Sequence, residues 1–198
     1  MQTFMIDWHN RERYSHLVEE QHRLRNEVFV KRLGWDVPSH DGLESDAYDT
    51  PRTTYAVTVG DTGRICAVSR LLPTTEPYMT RDLWPSWSSE RLPCSPWGWE
   101  ASRFGCCASL TRSERSEAIE QLFGTIYRFS RSRAVDYLMM VMPMFIFERN
   151  IKRLGYDVTY LGGTRKIDGL LSRRLARVQI GEPRAMSPEA PALMTRCG

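Results

Sequence analysis

The chain has 198 residues, 41% of them apolar and 26% charged, proportions that exclude wholesale disorder and a length that suits one domain. Its net charge of +3 hides a division: residues 1–100 carry 11 Lys and Arg against 15 Asp and Glu, and residues 101–198 carry 16 against 9. The longest apolar run, 137–147, falls short of the roughly 18–20 residues that a membrane-spanning helix needs, so no membrane span is expected.

The opening MQTFMIDWHN has no basic stretch followed by an apolar core, so no signal peptide is expected. Residues 13–33 read as a helix, with Leu17, Leu24, Val28 and Phe29 at helical spacing and Gly34 as its stop. A polar loop, 36–53, holds Asp36, Asp41, Glu44, Asp46 and Asp49. Residues 54–59 and 64–72, joined by Gly60-Asp61-Thr62-Gly63, read as a hairpin of two half-buried strands. From 73 to 99 runs an irregular excursion with Trp84, Trp87, Trp97 and Trp99; long ordered loops are usually functional. Then come a strand over 99–108, a helix over 113–130 capped by Ser113 or Ser116, a strand over 134–142 and a helix over 144–154 stopped by Gly155. Strands over 156–161 and 175–180 follow, and about 181–198 form a poorly packed tail. The order predicts an α/β (α+β) fold over 1–198: one domain with a mixed central sheet flanked by helices, and a parallel strand–helix–strand pair at its centre.

Five cysteines (Cys66, Cys94, Cys106, Cys107, Cys197), odd in number and without C-x-x-C, read as reduced thiols in a cytoplasmic protein. The four histidines lie far from any cysteine pair, so no metal site is expected. Phosphate loops, dinucleotide fingerprints, nucleophile elbows and H-E-x-x-H are all missing. What remains is a set of carboxylates and arginines: Arg25, Asp46, Asp49, Arg70, Glu100 and Arg103, with Phe29, Trp35 and Ser102 beside them. Loop aspartates commonly serve turns and solvent. Arg70 and Glu100 adjoin apolar strand residues, where a charge is seldom buried without a partner. Strand alternation places Glu100 and Ser102 on one face and Ala101 and Arg103 on the other.

Five pieces then form a pattern: Arg25 with Phe29; Gly34 with Trp35; Glu44, Asp46, Tyr48 and Asp49; SRLLPTTEPYM over 69–79; and WEASRF over 99–104. In this order and spacing the chain resembles the LuxI-type acyl-homoserine lactone synthases over roughly residues 20–165. Trp84 departs from the family, which usually has Phe there.

The resemblance implies a GNAT-like acyltransferase fold. It also implies a reaction in which the amine of S-adenosylmethionine takes an acyl group from a thioester, followed by lactone closure and loss of methylthioadenosine. S-adenosylmethionine is then a substrate, and no cofactor is expected. On this reading Arg25, Phe29, Trp35, Asp46, Asp49, Arg70 and Phe104 bind S-adenosylmethionine, with Glu100, Arg103, Asp46 and Ser102 catalytic. Glu100, directly or through a water, is the candidate base, and Arg103 or nearby backbone N–H groups stabilise the oxyanion. Trp84, Met140 and Met142 line the acyl chain. The donor is acyl-acyl carrier protein or acyl-CoA, met by Arg149, Lys152 and Arg153, with Arg128, Arg131 and Arg133 extending the basic face. Members that make 3-oxo products commonly carry a threonine on the strand corresponding to 138–142, and none stands here. Two other readings compete. An acetyl-CoA N-acetyltransferase predicts a glycine-rich pyrophosphate loop where the chain has CASLTRSER after Cys106. A nucleic-acid-binding module lacks a reading helix, and acids interrupt its basic runs.

Overall fold

The computed structural model describes residues 1–166 and 172–180, so the tail beyond 180 lies outside the described residues. Two units emerge: Met1–Leu71 with Ala101–Phe129, and Leu72–Glu100 with the chain from Ser130 onward.

In the first unit, Leu17, Gln21 and Leu24, at spacings of four and three, bury one side of α1 (Ser15–Arg25). Helix α1 runs straight into a wider, π-type stretch, Asn26–Arg32. There the Leu33 N–H reaches back five residues to the Val28 carbonyl (3.0 Å). Widening brings Asn26, Val28 and Phe29 all into the interior, which a strict 3.6-residue period does not do; such segments recur at functional sites. Gly34, at φ +65°, ends the helix as expected.

The loop that follows is partly ordered as a hairpin, β2 (Ser39–His40) and β3 (Leu43–Glu44), with Ser39 opposite Glu44. Its turn is Asp41-Gly42, both at positive φ, the conformation that Asp-Gly favours in two-residue hairpins. Strand β4 (Thr54–Val59) pairs antiparallel with β5 (Ile65–Pro73), as predicted, but both strands are buried on both faces rather than half-buried. Its other edge is covered by β1 (Gln2–Ile6), a strand not foreseen. Strand β6 (Gly98–Cys106) lies next to β5, tied by the Cys107 N–H on the Cys66 carbonyl (2.8 Å). Helix α3 (Arg112–Ser132) buries Ala118, Ile119, Leu122, Phe123 and Ile126. Its cap is Thr111 rather than Ser113 or Ser116. The Thr111 hydroxyl accepts the Glu114 N–H, and the Glu114 carboxylate accepts the Thr111 N–H (2.8 Å), which is the T-x-x-E capping box.

In the second unit, β7 (Tyr137–Pro143) pairs antiparallel with β10 (Ser172–Gln179), and β8 (Val158–Tyr160) and the short β9 (Arg165–Lys166) also pair with β10. Strand β7 leaves from beside the start of β6, where the Asp136 N–H bonds the Trp97 carbonyl (2.7 Å). The excursion contains α2 (Met79–Leu83) and is tied down at several points. The Tyr78 hydroxyl donates to the Pro93 carbonyl (2.6 Å), and the Ser89 N–H and hydroxyl both reach the Leu161 carbonyl. Gly162 has to be glycine, because a Cβ there would sit 1.9 Å from the Trp87 carbonyl oxygen. The predicted helix over 144–154 is irregular: one turn, α4 (Met144–Ile146), widens over Phe147–Ile151 and tightens over Lys152–Leu154 before Gly155 at φ +86°. Cys66, Cys106 and Cys107 are free thiols. Cys94, half-buried in the excursion and outside any ladder, is disulfide-bonded, so the expectation of five reduced thiols fails there.

Candidate active site

Three arginines from three elements meet three acids from one hairpin and its loop. Arg25, at the end of α1, donates Nε to Glu44 (2.5 Å) and grips both oxygens of Asp49 with its terminal nitrogens (2.7 and 2.8 Å). Arg70 on β5 reaches Asp46 (2.5 Å) and Asp49 (3.2 Å). Arg103 on β6 reaches Glu44 through Nε (3.1 Å) and Asp46 through Nη2 (2.7 Å). Each arginine touches two acids and each acid two arginines. The order Glu44, Arg25, Asp49, Arg70, Asp46, Arg103 closes on itself as a ring of alternating charge whose sum is zero.

Burial makes this ring consequential. Arg25, Arg70 and Glu44 are 0% exposed and Arg103 only 7%; charges so placed persist only when paired and hydrogen-bonded. Burial works against the charge on Arg25 and Arg70, but the neighbouring carboxylates outweigh it and raise both guanidinium pKa values. Burial likewise pushes the Asp49 carboxyl up, and Arg25 and Arg70 overcome it, holding Asp49 well below the usual carboxylate range. Arg103 differs: burial outweighs Glu44 and Asp46, and its pKa is lowered. It stays charged all the same.

The aspartates also make the turns expected of loop aspartates. Asp49 accepts the Asp46 N–H (2.8 Å) and Asp46 accepts the Tyr48 N–H (2.9 Å). Turn chemistry sets the spacing that the arginines then use.

Ser102 and Arg103 both serve the ring, which simple strand alternation forbids. The Ser102 hydroxyl accepts from Arg70 Nε (3.2 Å) while Arg103 bonds the acids. The physical reason is a left-handed backbone at Arg103, φ +52°, which re-aims the side chain in mid-strand. A non-glycine residue there costs ~1–3 kcal/mol and persists where its surroundings over-determine it. Over Arg103 lie the stacked rings of Phe29 and Trp35, centroids 4.9 Å apart, with its guanidinium carbon 5.4 and 5.8 Å from them.

Other predicted residues lie elsewhere. Glu100 accepts the Met79 N–H (3.2 Å), the Thr80 N–H (2.7 Å) and the Thr80 hydroxyl (2.6 Å) at the start of α2 in the second unit. Phe104 stacks on Phe123 of α3. Trp84 stacks on Trp87, and Met140 and Met142 are buried in β7. Arg149, Lys152 and Arg153 are exposed, with Lys152 paired to Glu148 (2.8 Å). Sequence reasoning missed two members of the ring's frame. Glu44 carries two of its contacts, and the Tyr55 hydroxyl donates to Asp49 (2.9 Å). Glu44 stood in the quoted motif as an acid one strand step from Asp46, whereas no local pattern marks Tyr55.

Among the described residues no helix is long and apolar enough to cross a membrane, and no group of three or more His, Cys, Asp or Glu is placed to hold a metal ion.

The family described as autoinducer synthase matches residues 9–172. The acyl-homoserine-lactone synthase of Aeromonas salmonicida is 36% identical over 155 residues, covering 75% of this chain and 73% of that protein. Among solved structures, the AHL synthase LasI is 31% identical with a TM-score of 0.77, covering 91% of this chain and 89% of that one. A CoA-dependent acyl-homoserine lactone synthase, BjaI, solved with SAM and isopentyl-CoA, is 26% identical with a TM-score of 0.82, covering 91% and 84%. The fold is accordingly the mixed-sheet, GNAT-like acyltransferase fold, and the chain belongs to the acyl-homoserine-lactone synthase family of autoinducer synthases.

Proposed function

We propose that the charge ring is the frame on which S-adenosylmethionine is bound for acylation of its amine. The observation that carries this reading is the ring itself: its acids and arginines are paired among themselves, and stacked aromatic faces cover Arg103. S-adenosylmethionine brings a sulfonium, an ammonium and a carboxylate. Phe29 and Trp35 offer π faces to the cationic part. Asp46 turns the remaining lone pair of its Oδ2 to the ammonium, and Asp49, whose oxygens are both filled by Arg25, Arg70, Tyr55 and the Asp46 N–H, fixes the pocket behind it. Arg103, under the Phe29 and Trp35 rings, takes the carboxylate in the resting complex or the oxyanion in the transition state. Arg25 and Arg70 hold the acids in place, and Ser102 holds Arg70. The acidic loop does not attract the cation by excess charge, since the three arginines cancel it; it presents fixed dipoles instead.

The amine, once deprotonated, attacks the thioester carbonyl; the C–N bond forms, the C–S bond breaks and the carrier thiol leaves with a proton. The new amide's carboxylate then attacks the γ-carbon, and methylthioadenosine leaves with the electron pair of the broken C–S bond, which discharges the sulfonium. Orientation dominates this second step. Glu100 has both oxygens occupied at α2, so it takes the amine proton through a water rather than directly. Trp84, Met140 and Met142 receive the acyl chain. Arg149, Lys152 and Arg153 meet the phosphates of acyl-CoA or the acidic surface of an acyl carrier protein, in a protein that works in the cytoplasm and uses no cofactor.

The test is turnover of S-adenosylmethionine with acyl-CoA and, separately, with acyl-acyl carrier protein. Thiol release is followed and products are identified by mass spectrometry. Equal amounts of thiol, methylthioadenosine and acyl-homoserine lactone are expected with one of the donors. Thiol release without lactone, or no product from either donor, overturns the reading.

A further inference from the structure

We infer that His22 is a positioning residue for the charge ring, clamping the β2–β3 hairpin to α1 so that the Glu44 carboxylate falls between Arg25 and Arg103. The inference rests on the proposed binding of S-adenosylmethionine to that ring. The hairpin is two residues deep on each side, too short to hold itself in water. Two side chains four residues apart, His22 on α1 and Asn26 just beyond it, fasten the two paired residues. His22 Nδ1 lies 2.7 Å from the Glu44 carbonyl oxygen, and Asn26 Nδ2 donates to the Ser39 hydroxyl (2.5 Å).

A carbonyl only accepts, so Nδ1 carries the hydrogen and the neutral ring leaves its lone pair on Nε2. The ring edge also packs on Tyr55, 5.7 Å between centroids, whose hydroxyl donates to Asp49. One imidazole thus braces the main chain of one ring acid and the aromatic support of another. Arg25 on its own helix, Glu44 on β3, Asp49 in the loop, Tyr55 on β4 and Arg11 over the Tyr55 ring are the charged or titratable groups around it. Burial first, and Arg25 second, lower the imidazole pKa, so the ring is neutral at physiological pH. Acid adds a positive charge beside Arg25 without breaking the Nδ1 hydrogen bond.

The experiment compares wild type, His22→Phe and His22→Asn by calorimetric binding of S-adenosylmethionine, by steady-state kinetics and by amide hydrogen exchange at residues 43–46. Phe keeps the ring and loses the donor; Asn keeps a donor near the Nδ1 position. His22→Phe raises the Kd and KM for S-adenosylmethionine about 5- to 10-fold, the worth of one hydrogen bond, and leaves the KM for the acyl donor unchanged. His22→Asn stays within about 3-fold of wild type. Wild type loses affinity as pH falls below the ordinary histidine range, and His22→Asn does not. Equal loss in both variants, an unchanged Kd in His22→Phe, or the same acid limb in His22→Asn overturns the inference. If His22→Phe fails to fold, the pH comparison with His22→Asn decides. If wild type binds no S-adenosylmethionine, the functional reading fails, and faster exchange at 43–46 in His22→Phe but not His22→Asn decides the clamp separately.

Discussion

The molecule carries two dense groups of charge, and they obey different physics. In the first unit, Arg25, Arg70 and Arg103 interlock with Glu44, Asp46 and Asp49 at side-chain exposures of 0–9%. In the second, Arg149, Lys152 and Arg153 share a helical stretch with Glu148, and the ion pair of Lys152 with Glu148 is 39% and 46% exposed. Two charges 4 Å apart interact by ~1 kcal/mol in water but ~4 kcal/mol at the effective dielectric of a protein. Burial therefore turns the first group into fixed geometry. Exposure leaves the second as a field that a partner can read and salt can screen.

The strongest way to break this contrast is to remove one cation from the ring. Arg25→Ala strands Glu44 and Asp49 as buried anions facing only one arginine each. Uncompensated buried charge of this kind costs ~3–5 kcal/mol, a large share of the ~5–15 kcal/mol that holds a typical domain together. Urea unfolding of the variant is expected to show a midpoint far below wild type, or no folded baseline. A midpoint within experimental scatter of wild type would place the ring's arginines in water.

Acid is the next lever, and the sign is fixed by two groups. Asp49 titrates at the ordinary 3.8 when unfolded and lower when native. Its stabilisation is complete above 3.8 and drains away as pH falls below it, because the unfolded chain takes up the proton first. His22 has an ordinary value of 6.5 and a lowered native one, so the unfolded chain again binds the proton first, starting near 6.5. Stability measured by urea midpoint should therefore drop in two stages on acidification. His22→Asn abolishes the upper stage, and Asp49→Asn removes the lower one on top of a lower starting stability. A single stage in wild type would detach one of the two groups from folding.

How much of this was legible in the sequence follows from which physics is local. The buried face of α3, the hairpin of β4 and β5 and the stops at Gly34 and Gly155 rest on periodicity and turn chemistry within a few residues, and they were readable. So was the Asp-Gly turn of β2–β3 and the T-x-x-E cap at Thr111, although both were passed over: the first sat inside a polar loop, and a serine stood closer to the apolar run than Thr111 did. Motif spacing marked Arg25, Asp46, Asp49, Arg70 and Arg103. It did not mark their closed order, which depends on a left-handed residue at Arg103 that no propensity predicts for arginine. Tyr55 and His22 were invisible because their partners lie 6 and 22 residues away and neither residue type announces a role by spacing. Strand β1 was missed because its partner β4 begins some 50 residues later and the strand itself is half-exposed.

The gentlest test belongs to the exposed group, where stability should not move and recognition should. Arg149→Glu with Arg153→Glu reverses two exposed charges, so the unfolding midpoint stays at the wild-type value. The KM for the acyl donor rises several-fold at low salt and converges on wild type as salt is added, since exposed charges separated by more than ~8–10 Å are screened at ordinary ionic strength. The KM for S-adenosylmethionine is unchanged. Glu148→Gln works in the opposite direction. Lys152 and the Tyr160 hydroxyl both bond Glu148, so its removal frees Lys152 and lowers the donor KM by less than the double reversal raises it. Opposite signs from substitutions of opposite charge, with S-adenosylmethionine binding indifferent to both, would make this face a reader of negative charge. Movement of both variants in the same direction would mean that the helical stretch had been disturbed rather than its field.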